Sequence, residues 1–117
     1  MKKLISVLGF CLASLITTTS FASEWLEGVY INQDEGSSMN EVIFCKVGKA
    51  YAGMSPRQYT ISREGDFNYV ILNSNGTFKF KVSLDKTELF PADKFTTDWF
   101  TKSSLKLDPK RSDTCNW

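Results

Sequence analysis

Residues 67–84, with the sequence FNYVILNSNGTFKFKVSL, decide the fold of this 117-residue chain. Asn75 and Gly76 separate two apolar stretches, and both residue types tolerate the positive φ angles of a tight hairpin turn. In the second stretch apolar and polar residues alternate strictly, with Phe78, Phe80, Val82 and Leu84 against Lys79, Lys81 and Ser83. This period of two predicts an antiparallel hairpin whose second strand buries those four apolar side chains.

Short stretches rich in aromatic and β-branched residues lie on both sides of this hairpin. They predict further strands near residues 25–31, 41–47, 50–52, 57–63, 88–90, 96–100 and 105–107, with Pro56 ending the third of these, and at most one short helix at 91–95. We expect an all-β antiparallel meander that is closed or nearly closed into a small barrel, because closure removes exposed strand edges. A two-sheet β-sandwich is the alternative.

The first 22 residues have the layout of a cleavable secretory signal: Lys2 and Lys3, an apolar run, and small residues at Ser20 and Ala22. The run is shorter than the roughly 20 residues that span a bilayer, so a retained anchor is the weaker interpretation. A lipid on Cys11 is also disfavoured, since bulky Phe10 precedes it. We therefore expect residues 1–22 to be removed and residues 23–117 to form one exported, periplasmic or secreted domain without a membrane span.

Removing 22 of the 117 residues leaves 95, with two cysteines, Cys45 and Cys115. An even pair in an oxidising compartment predicts one disulfide bond, with two free buried thiols as the alternative. The remaining 12 basic and 13 acidic residues nearly cancel, so we expect no nucleic-acid partner.

The chain contains no histidine, which removes the common Ser-His and Cys-His nucleophile pairs and the usual zinc ligands. Glycines occur singly in turns and form no phosphate-binding pattern. Asp34 and Glu35 are adjacent, but in a polar loop a solvated turn explains them better than acid–base catalysis or calcium binding. We predict no enzyme activity, no metal site and no cofactor; an enzyme working through carboxylates is the weakest hypothesis.

Fourteen of the 95 residues are aromatic, which is enough to fill the core of a small barrel and also to supply a pocket or surface patch. Tryptophan and tyrosine suit a binding rim because a large apolar ring carries one polar group. We predict that the site lies at an open end of the barrel and includes Trp25, Tyr51, Tyr59 and Trp99, although each could belong to the core instead.

Two segments resemble the small lipocalin-like proteins secreted by bacteria. Gly28-Val29-Tyr30 resembles their first strand, with Tyr30 where Trp is usual, and residues 42–53 (VIFCKVGKAYAG) resemble the hairpin that follows. The resemblance covers about 60 of the 95 residues, and it implies a barrel without implying a particular ligand.

The sequence thus predicts a monomeric, non-enzymatic exported barrel that binds an apolar ligand or a peptide. The alternative is a protein-binding inhibitor or immunity protein directed at a lysozyme or a toxin, because a rigid small barrel loses little conformational freedom on binding.

Overall fold

The computed structural model describes residues 25–53, 55–73, 76–113 and 115. Eight strands and one helix follow in chain order: β1 (Gly28–Asn32), β2 (Glu41–Cys45), β3 (Lys49–Ala52), β4 (Ser55–Glu64), β5 (Phe67–Asn73), β6 (Thr77–Val82), β7 (Glu88–Pro91), α1 (Lys94–Trp99) and β8 (Leu105–Leu107). The predicted signal peptide, residues 1–22, lies outside the described residues.

The strands form a closed antiparallel barrel in which each strand pairs with the next and β8 returns to β1. Tyr30 of β1 lies opposite Val42 of β2 on one side and opposite Leu107 of β8 on the other. This closure confirms the predicted barrel and rules out the two-sheet sandwich. It also pairs the backbone edges that an open meander would leave exposed.

The predicted central hairpin is confirmed, with Leu72 opposite Phe78 and Val70 opposite Phe80. Its Asn75 lies outside the described residues. Phe78, Phe80 and Val82 are buried as expected, but Leu84 is 82% exposed, so its assignment to the core was wrong. β6 ends at Val82, and a turn that contains Leu84 follows, in which Lys86 N donates to Ser83 O at 2.9 Å.

The one short helix that was expected is present, but it spans Lys94–Trp99 (α1) instead of 91–95, because Pro91 still belongs to β7. The predicted strand at 96–100 was wrong, since most of it lies in this helix. Asp93 starts this helix by accepting a hydrogen bond from Thr96 N at 2.9 Å, a typical N-cap. The Thr96 hydroxyl in turn accepts from Lys79 N at 2.8 Å and ties the helix to β6. Local capping therefore outweighs the β propensity of this stretch.

Pro56 was predicted to end the third strand, and this was wrong. It is the second residue of β4 and lies opposite Tyr51. A proline is tolerated here because the pairing with β5 begins only at Gln58, so no neighbouring strand requires an N–H group from residue 56.

Candidate functional site

Aromatic rings pack against one another inside the barrel. Phe44 lies edge-on to both Tyr30 and Tyr59, with ring centroids 5.5 and 5.0 Å apart. Phe100 makes the same contact with Phe78 and Phe80, at 5.0 and 5.1 Å. These edge-to-face pairs are the arrangement that aromatic side chains favour in protein cores. They account for much of the aromatic content that the sequence left unassigned.

Tyr59, one of the four predicted site residues, belongs to this core and is only 2% exposed. Its hydroxyl accepts from Leu26 N at 3.1 Å and lies within donating distance of Leu26 O (3.0 Å) and Cys45 O (2.7 Å). Burial raises the pKa of this hydroxyl to about 12. Tyr59 therefore holds the segment before β1 against the end of β2.

Trp25 contacts Tyr59 edge-on, with ring centroids 5.7 Å apart, and is 38% exposed. A Cβ at Gly48 would lie 3.4 Å from the Trp25 ring, which places this tryptophan beside the β2–β3 turn. That turn is at the opposite end of the barrel from the loop that joins β1 to β2. The structure thus brings Trp25 and Tyr59 together, away from Tyr51 and Trp99.

The C-terminal residues 108–113 and 115, here called the tail strap, cross the outer wall of the barrel. Asp108 N donates to Val29 O at 2.8 Å, and the predicted Cys45–Cys115 disulfide is present, with an S–S distance of 2.02 Å. Between these points Arg111 binds Glu41 at the start of β2. These contacts hold a polar segment against β1 and β2.

Arg111 is the central charge of the strap. Its Nη1 and Nη2 lie 2.6 and 3.2 Å from the two Glu41 oxygens, and Nη2 lies 2.6 Å from Asp113. Hydrogen bonds to Asp113, the larger effect, and to Glu41 raise the pKa of the Arg111 guanidinium. Arg111 in turn holds the pKa of Asp113 below its usual range. One arginine thus neutralises only one of its two acidic partners.

A cleft of about 490 Å³ lies beside the strap on the outer wall. Its lining consists of Ser38, Asn40, Glu41, Ile43, Tyr51, Gly53, Arg111 and Asp113. Ile43 of β2 and Tyr51 of β3 lie directly opposite each other in the sheet. Tyr51 is 36% exposed, because the alternation along β3 buries Ala50 and Ala52 and turns the tyrosine outward.

The loop between β1 and β2, residues 33–40, is fixed by buried polar contacts. The Asn32 amide donates to Met39 O at 2.8 Å and to Phe100 O at 3.0 Å, and the Ser37 hydroxyl donates to Phe100 O at 2.6 Å. Hydrogen bonds from the backbone N–H groups of Lys102 and Gly36 lower the pKa of Asp34. The predicted turn is present, with Glu35 exposed, and Asp34 also attaches it to the segment after α1 by accepting a hydrogen bond from Lys102 N at 2.9 Å.

A second cleft, of about 200 Å³, lies between this loop and the end of α1. Its lining consists of Asp34, Gly36, Ser37, Ser38, Thr97, Asp98, Trp99, Phe100, Thr101 and Lys102. Trp99 is 69% exposed at the last position of the helix. Lys94, at 2.6 Å from Asp98, lowers the pKa of that carboxyl group and supports the exposed face of α1.

Ser38 lines both clefts and joins them into one surface, here called the Ser38 surface. Tyr51 and Trp99, two of the four predicted site residues, lie on it, in separate clefts. Four residues of this surface were not predicted from the sequence: Ser38, Glu41, Arg111 and Asp113. The cysteine pair was a usable signal for the last two, because a disulfide to β2 brings the residues before Cys115 to the same wall.

The Ser38 surface places the exposed rings of Tyr51 and Trp99 near charged side chains, among them Glu41 and Arg111. Among the described residues no group of three or more His, Cys, Asp or Glu side chains is arranged to hold a metal ion. None of the helices in residues 25–53, 55–73, 76–113 and 115 is long and apolar enough to cross a membrane. Compared with known proteins, the chain matches no family model, no curated protein and no solved structure.

Proposed function

We propose that this protein is a non-enzymatic, exported binding protein that recognises a protein partner through the Ser38 surface. The observation that carries the proposal is the exposure of Trp99 and Tyr51 on joined clefts while the interior aromatic rings contact one another. Tryptophan, tyrosine and arginine are the residue types that contribute most to binding at protein interfaces. All three lie on this surface.

The interior favours a protein or peptide partner over a small apolar ligand held inside the barrel. The edge-to-face contacts of Phe44 and of Phe100 occupy the interior, and both clefts lie outside it. An inhibitor or immunity protein is the form of this function that the observations support best, because the loop and strap are held rigidly before binding. A rigid surface loses little conformational entropy when the partner docks.

The proposal also includes export from the cytoplasm and membership of a lipocalin-like class of barrels. The disulfide and the signal-like residues 1–22 support an exported protein, and the eight-stranded antiparallel meander supports a lipocalin-like class. The intact mass of the protein purified from the periplasm should correspond to a chain that begins at Ser23. A retained signal or a lipid adduct would contradict this expectation.

The test uses the mature chain as bait in a periplasmic extract, followed by affinity measurement with the purified partner. Alanine at Trp99 and at Tyr51 should each weaken binding by about 2 kcal/mol, roughly thirtyfold, if they are central contacts. Phe90→Ala is the matched control, because Phe90 is 40% exposed on β7 and lines neither of the two clefts.

Circular dichroism and thermal unfolding must first show that all three variants fold. A partner whose affinity is unchanged by Trp99→Ala and Tyr51→Ala would refute the Ser38 surface as the site. Recovery of a lipid or another small molecule, with no protein partner, would refute protein recognition and favour the apolar-ligand function instead.

A further inference from the structure

Arg57 occupies an unusual position on the inner face of the barrel. It lies opposite Ala50, which is fully buried, and two residues before Tyr59, which is also part of the core. Because side chains alternate along a strand, Arg57 belongs to the same inward-facing set as Tyr59. It is the third residue of β4, so it stands near the end of the barrel where the β1–β2 loop lies.

The Arg57 Nε atom is buried and has no hydrogen-bond partner, the one such side-chain atom found among the described residues. None of the four ion pairs in the described part of the chain involves Arg57. A buried donor without an acceptor destabilises a fold, and arginine is rarely buried without a partner. An unsatisfied donor of this kind therefore calls for an acceptor from outside the chain.

We propose that the mouth of the barrel binds a carboxylate through Arg57. The planar guanidinium presents Nε and one Nη as two parallel donors, which match the two oxygens of a carboxylate. Arg57 as a whole is partly exposed, although its Nε atom is buried. The inward residues of the neighbouring strand, Ala50 and Ala52, are both small.

This site is separate from the Ser38 surface and does not depend on it. Tyr51 points away from the interior at the position where Ala50 and Ala52 point inward. A carboxylate at Arg57 can come from a free small molecule or from an acidic side chain of a protein. Both sources present the same two oxygens, and the experiment below separates them.

The test follows the side-chain Nε–Hε signals of ¹⁵N-labelled mature protein by NMR. Sodium acetate is the free carboxylate, and the blocked peptide acetyl-Gly-Glu-Gly-amide is the side-chain carboxylate, both at constant ionic strength. We expect a saturable shift of the Arg57 signal and none at Arg63, an exposed arginine on the same strand. Acetate that saturates as readily as the peptide indicates a free ligand, and tighter peptide binding indicates a protein group.

Two variants separate binding from structure. Arg57→Lys keeps the charge but loses the paired donors, so affinity for the probe should fall at least about tenfold. In Arg57→Met the probe should no longer shift the backbone amide signals near Ala50. The unfolding temperature should stay unchanged or rise, because the substitution removes an unsatisfied donor. Arg63→Met should change neither.

Three outcomes would overturn the proposal. One is the absence of a saturable shift with either probe. Another is an Arg57→Lys variant that binds as tightly as the parent. The third is a sharp loss of stability in Arg57→Met, since that would mean the guanidinium is satisfied within the fold.

Discussion

Removing a single oxygen atom, in Tyr59→Phe, tests the hydrogen bonds that attach the N-terminal segment to the barrel. The ring stays, so its edge contacts with Phe44 and Trp25 should persist and no cavity forms. The hydroxyl has one proton, so it accepts from Leu26 N and donates to one of the two nearby carbonyls, Leu26 O or Cys45 O. The variant leaves that N–H and carbonyl without this partner.

A buried polar group that loses its partner costs roughly 1–3 kcal/mol, and we expect about 2 kcal/mol here. For a domain of this size that corresponds to a fall of about 8–16 °C in the unfolding temperature. Thermal and urea unfolding of the mature, oxidised protein measure it. Tyr69→Phe is the control, because Tyr69 is only half-buried and its ring, 4.8 Å from Lys79 Nζ, is retained. Equal, small losses in the two variants would refute the role of Tyr59.

The other predictions concern the core, the disulfide and pH. Phe80→Ala should cost about 3–5 kcal/mol, and Lys81→Ala no more than about 1 kcal/mol, since only the former creates a cavity; comparable losses would contradict the alternation. Cys115→Ser should cost about 2–5 kcal/mol by urea unfolding, and no loss would mean that the strap adds nothing to stability. The raised pKa values of Tyr30 and Tyr59, both about 12, mean that the folded chain keeps protons which the unfolded chain loses near pH 10. Their stabilising contribution should be complete below pH 10 and decline as the pH rises toward 12, as alkaline unfolding curves can measure.

The strands could be predicted because their signals are local. Alternation in β6 and the Asn75-Gly76 turn need no distant residue to be recognised, and β5 and β6 form as expected. Closure was predicted from the general cost of exposed edges, and the pairing of β8 with β1 confirms it. The disulfide could be predicted because an even number of cysteines remains in a chain that is expected to reach an oxidising compartment. The bond joins residues 70 apart in sequence and so holds the tail against β2.

The errors occurred where a single polar contact decided the outcome. The stretch around Trp99 has the composition of a strand, but the Asp93 cap and the Thr96 hydroxyl bond to β6 make it a helix. Leu84 continues the alternation in the sequence, but a turn begins at Ser83, so Leu84 lies outside the sheet. Propensity and periodicity do not detect such contacts, because both describe average residue preferences and neither identifies a specific side-chain hydrogen bond.

The candidate site divided in two for a related reason. Tyr51 and Tyr59 are the same residue type on neighbouring strands. They differ in the face of the sheet to which the alternation of side chains along each strand assigns them, which is the surface for Tyr51 and the core for Tyr59. The flanking Ala50 and Ala52 carried that information, because small buried residues on either side of Tyr51 mark the inner face of β3 and leave the tyrosine on the outer face. Residue size at alternate positions, more than aromatic content, therefore distinguishes a binding surface from a core in a barrel this small.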